Sequence, residues 1–128
     1  MTVDRTTHAA PSGKSSSAWP PQLDALTAAA DSHRLLLETD RVRVLEIVIE
    51  PGAREPEHTH RWPSVMIIDR AARIRYYENG VKAFESPPQS SSENVPHVTW
   101  MDPEGPHAVE NIDEHPYHAL RIELKDDR

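Results

Sequence analysis

From residue 33 onward the chain is a succession of short apolar runs, each closed by a turn-forming residue: HRLLLET, VRVLEIVIE, SVMIID, ARIRYYE, VKAFES, PHVTWM, HAVENI and YHALRIEL. Runs this short, rich in Val, Ile, Leu and aromatic residues, form strands. Many short strands with no long helix predict an all-β sandwich or barrel. Pro51-Gly52 closes the second run, and Asn79-Gly80 predicts a hairpin because both residues tolerate the positive φ of a type I′ turn.

The sequence has 128 residues, enough for one domain with one core. Residues 1–20 are rich in Ser, Thr, Pro and Gly and read as a flexible tail, which leaves 21–128 for the barrel. Leu23 and Leu26, set among good helix formers behind Pro20 and Pro21, predict one short helix over 22–30. The stretch 86–96, SPPQSSSENVP, has no apolar period and reads as a long surface loop.

A formal charge of −7 repels phosphate backbones and anionic headgroups, so neither nucleic acid nor membrane is an expected partner. The longest apolar run, around Val65 to Ile68, is far short of the roughly 20 residues that span a bilayer. Residues 1–10 contain Asp4, Arg5 and His8 in place of a secretory apolar stretch, so a cytoplasmic protein is expected. There is no cysteine, so a metal would have to sit on nitrogen and oxygen.

The histidines carry the chemistry. In His58-Thr59-His60, side chains two apart on a strand project from one face, about 6.6 Å apart along the backbone, so both imidazoles reach one ion. The same period places Glu57 and Thr59 on the other face. The pair alone equally suits two hydrogen-bonded histidines. It gains force from Pro103-Glu104-Gly105-Pro106-His107, where a tight turn delivers a third histidine to the start of a strand.

At these residues the chain resembles the cupin superfamily. Gly52, five residues, then His58-Thr59-His60 is similar to the first cupin motif, and Pro103, Gly105, His107 and Asn111 are similar to the second, with the gap from Gly105 to His107 one residue short. The resemblance implies a double-stranded β-helix, the cupin or RmlC-like jelly-roll barrel, with His58, His60 and His107 converging on a divalent transition metal, Fe, Zn, Ni or Mn. The family's glutamate would fall at Ser64 or Val65, neither a good ligand. The site is then a three-histidine centre with open positions, a centre completed by another side chain, or a barrel that holds no metal.

Three neutral imidazoles favour anionic oxygen donors in the open positions, so a small oxygenated or carboxylated molecule is the expected ligand. The expected function is a metal-dependent dioxygenase or isomerase-like enzyme. A non-enzymatic ligand- or metal-binding module is the alternative. In a third reading the histidines are core residues of a homodimer whose N-terminal strands pair to cover edges. His118 shares a face with Leu120, Ile122 and Leu124, read as inward, and is a pocket candidate. Tyr76 and Trp62 are the others, with Tyr77 as an alternative phenol and Arg61 read as a surface residue.

Overall fold

The computed structural model describes residues 19–88 and 96–125. The expected tail up to residue 18 and the centre of the expected loop, 89–95, lie outside the described residues. Among these, the apolar runs become β1 (His33–Glu38), β2 (Val42–Ile49), β4 (Ser64–Arg70), β5 (Ile74–Glu78), β6 (Val81–Glu85), β7 (His97–Met101), β8 (Glu104–Asn111) and β9 (Tyr117–Leu124). The HxH segment forms its own short strand, β3 (His58–His60). Asn79 and Gly80 take φ of 52° and 83° between β5 and β6, as the expected hairpin requires.

The expected single helix is broken in two. Pro21–Leu23 make a 3₁₀ turn and Ala25–Ala28 make α1, with Asp24 extended between them at ψ 143°. Asp24 is held by tertiary partners: its carboxylate accepts from Leu26 N at 3.1 Å as a helix cap and pairs with Arg43 at 3.0 Å. A residue bound both to the helix start and to a strand cannot also continue the helix.

The strands form two antiparallel sheets, one in the order β1-β2-β9-β4-β7 and one in the order β3-β8-β5-β6. Their inner faces line a common cavity, with Ile47, Ile49 and Met66 from the first sheet and Ile74 and Val109 from the second. Ile47, Ile49, Met66 and Ala119 form the buried apolar cluster.

Which face of β9 points inward corrects the sequence reading. Ala119, Arg121 and Glu123 are buried, whereas His118, Leu120, Ile122 and Leu124 lie on the outer face. The apolar residues there complete a row that crosses all five strands, Leu37, Val44, Ile122, Val65 and Trp100, each the registered partner of the next. Hydropathy inverts the assignment because β9 carries Arg121 and Glu123 on its inner face and an apolar row on its outer one.

Gly80 has open space around its missing Cβ and a φ of +83°. Its replacement therefore tests backbone strain alone: Gly80→Ala should lower stability by about 1 kcal/mol. Urea unfolding would show this as a lower midpoint with an unchanged slope.

Candidate metal centre

His58 and His60 reach the cavity from β3, His107 from β8 and His33 from the start of β1. His58 and His107 face each other as cross-strand partners, their ring centroids 4.4 Å apart. His33 packs 4.8 Å from His58 and 5.2 Å from His60. The structure thus gathers four imidazoles where the sequence reading had three. The sequence carried no clear signal for His33: Leu35, of the same strand parity, is 42% exposed, and the register that sets His33 opposite buried Ile47 is visible only in the structure.

Each ring is anchored through Nδ1. His58 Nδ1 bonds Pro56 O at 2.9 Å, His107 Nδ1 bonds Gly105 O at 2.8 Å, and His33 Nδ1 bonds Ala29 O at 3.2 Å. His60 Nδ1 bonds Glu123 Oε2 at 2.7 Å. Carbonyl oxygens and carboxylates only accept, so the proton sits on Nδ1 and the lone pair on Nε2. Orientation of this kind supports a metal-ligating histidine.

Burial favours the neutral form, the one that ligates, at His33, His58 and His60. It brings His33 down to about 3, with the His58 ring adding to the effect. His58 is lowered mainly by burial against the opposing pull of Glu55, and His60 is held well below the ordinary value by burial and by Arg121.

Three carboxylates complete the interior. Glu55, from the connection before β3, accepts from Ser32 Oγ at 2.7 Å and Val109 N at 3.1 Å, and burial pushes its carboxyl up. Glu123 accepts from Arg43 Nε at 2.6 Å besides His60. Glu104 accepts from Tyr76 and from Arg121 Nη1 at 2.7 and 2.8 Å; burial opposes ionisation, but Arg121 and His107 bring it down to about 2.

The ligand-capable atoms fall into two overlapping sets, His33-His58-His60 and His60-Glu104-His107, with the atoms of each within 4.8 Å of one another. His58 and His107 do not occur together in either set. His58 Nε2 lies 3.8 Å from Glu55 and His107 Nε2 lies 3.6 Å from Glu104. These gaps are too long for hydrogen bonds and only slightly wider than the roughly 3.4 Å between donors sharing a tetrahedral ion. In chemical type, this donor set of imidazole and carboxylate suits a divalent transition metal.

Glu104 owes its position to an irregular register. His58 pairs with His107 but His60 pairs with Glu104, so one residue on β3, Thr59, opposes two on β8. The extra residue falls at Gly105-Pro106 and turns Glu104 onto the face of His107, which regular alternation would forbid. Pro106 marks the place, since proline inside a central strand requires such a break.

The other candidates separate. Tyr76 lines the cavity and stacks on His107 with centroids 5.5 Å apart, but its hydroxyl donates to Glu104 and burial raises its pKa, so it remains a protonated donor. Tyr77 bonds Glu110 instead. Trp62 lies outside the cavity lining, beyond the end of β3, where the Arg43, Arg61 and Lys125 cations approach its ring. His118 is on the outer face, bonded to Asp69 and, at 2.8 Å, to Glu46, and is no pocket residue. Glu57 is exposed, in keeping with its expected absence from the ligand face, whereas Thr59 on that same side is buried.

No protein-family model matches the chain, and no curated protein does. Solved structures do. The chain is similar to a cupin domain from Bordetella pertussis Tohama I, at 17% identity and a TM-score of 0.57 over 73% of this chain and 92% of that one. It is also similar to an RmlC-like cupin family protein with a double-stranded β-helix fold from Methanocaldococcus jannaschii, at 14% identity and a TM-score of 0.50, covering 72% and 77%. The fold of this chain is the cupin double-stranded β-helix.

His118 supplies a test of the outer face. Its hydrogen bonds to Asp69 and Glu46 raise its pKa above the ordinary 6.5. The protonated ring therefore favours the folded state, an effect complete below 6.5 and lost as pH rises through the folded-state value. His118→Gln should lower the melting temperature near about pH 5.5 and differ less from the parent near about pH 8.5. A gap that widens with pH would refute the pairing.

Proposed function

We propose that this chain is a metal-binding cupin that holds one divalent transition metal, Fe, Zn, Ni or Mn, on His58, His60 and His107. Glu104 supplies the carboxylate missing from the first motif, and His33 stands behind the pair on β3. The observation that carries this reading is the common anchoring of Nδ1, which presents Nε2 lone pairs from the neighbouring strands β3 and β8 to one cavity.

A bound ion of this kind supplies Lewis-acid polarisation, or redox access, to a small oxygenated or carboxylated molecule. The chain's own residues orient that molecule. Apolar walls from Ile47, Ile49, Met66 and Val109 exclude water, and Tyr76 keeps its proton on the Glu104 side. The activity proposed is that of a metal-dependent dioxygenase or isomerase-like enzyme. One observation favours a second reading, a non-enzymatic ligand- or metal-binding module: Tyr76 is held protonated and Glu104 is held at about 2, so neither is a base near neutral pH. The homodimer expected from the sequence belongs to the same proposal, and the apolar row on the outer face supports it.

Metal analysis of protein purified without a histidine tag tests the centre. About one equivalent is expected for the parent and almost none for His58→Ala/His107→Ala, a loss of at least about tenfold in affinity per removed imidazole. A metal-free parent that cannot be reconstituted near neutral pH would sink the reading. Oxygen consumption with Fe(II) and a panel of small carboxylates and diols would then separate the enzyme from the binding module.

A further inference from the structure

Among the described residues one buried side-chain polar atom lacks a hydrogen-bond partner, Nη2 of Arg121. Arg121 is 2% exposed, sits on β9 and lines the histidine cavity. Its other nitrogens are engaged: Nε donates to Ser64 Oγ at 3.0 Å and Nη1 to Glu104 Oε1 at 2.8 Å. Ser64 is too short to reach past Nε, so one corner of a charged, forked donor is left without an acceptor. A buried donor in that state is costly, and the cost is recovered when an acceptor arrives.

The cavity limits what that acceptor is. It measures about 170 Å³, and Ile47, Ile49, Met66, Met101 and Val109 make its walls apolar. That volume is well below that of a drug-sized pocket. A guanidinium corner selects a carboxylate over a neutral carbonyl, because the bond is charge-assisted and planar.

We propose that Arg121 Nη2 is the docking point for the carboxylate of a small monocarboxylic acid whose short apolar remainder lies against the walls beside the histidines. The inference rests on this cavity being the ligand site of the proposed metal centre, but the anion contact is made by the chain itself. Arg121 is thus a specificity residue. It sets which end of the molecule faces β9 and which end faces the imidazoles.

The probes are butyrate and its neutral isostere butyramide, titrated into the full chain freed of metal by chelation and followed by ligand-observed NMR. Butyrate should bind at least about tenfold more tightly than butyramide, the margin of one charge-assisted bond. Because Arg121→Met alone would strand Glu104, the comparison uses Arg121→Met/Glu104→Gln, which removes both charges, and Glu104→Gln, which keeps Arg121. The preference should vanish in the double variant and persist or grow in the single one. Equal binding of the two probes, no binding of butyrate, or a preference that survives the double variant would overturn the proposal.

His58→Ala/His107→Ala keeps the two readings apart. That variant is expected to lose metal and retain the butyrate preference. Loss of the preference there, with native circular dichroism, would place the anion on the imidazoles and overturn the role of Arg121. Metal content alone decides the centre itself.

Discussion

The carboxylate of Glu123 holds the two sheets in register at the cavity end. It belongs to β9, receives Arg43 from β2 through Oε1 and receives His60 from β3 through Oε2, and it is fully buried. Arg43 in turn reaches Asp24 in front of α1. One charged chain therefore ties the N-terminal segment, the five-stranded sheet and the HxH strand together. Burial pushes the Glu123 carboxyl up and Arg43 opposes it. Ion pairs of this kind add little net stability over an apolar core, but removing one partner strands the other at a cost of about 3–5 kcal/mol.

The same economy governs the rest of the interior. Every histidine at the cavity spends one nitrogen on the scaffold and keeps one for the inside. The scaffold side is mostly backbone: Pro56, Gly105 and Ala29 carbonyls hold three of the four rings. Ring orientation thus depends on the path of the chain around each strand end more than on neighbouring side chains, and Arg121 and Glu104 line the same cavity as a second charged pair.

Much of this was legible in the sequence. Branched and aromatic runs separated by Pro, Gly and Asn gave strand positions to within a few residues, and Asn79-Gly80 gave the hairpin, since these are local preferences of the chain. The period of two put His58 and His60 together, and the turn before His107 brought it opposite. What failed was tertiary. The face of β9 was inverted because Arg121 and Glu123 are paid for by partners on other strands. Glu55 sits outside any strand, held by Ser32 and Val109, and no periodicity reports such a residue. Glu104 was hidden by the broken register beside it.

That broken register has a consequence for how such barrels diversify. At the present three-residue separation, regular pairing without the bulge would swing Glu104 to the opposite side, whereas deleting one residue at Gly105-Pro106 would keep it on the histidine's face by plain alternation. The charge of the donor set is therefore written in the pairing of two strands, a quantity that residue-by-residue comparison does not score. Two chains with the same histidines and the same glutamate, one with this bulge and one paired regularly, would offer different electrostatic environments to whatever enters the barrel.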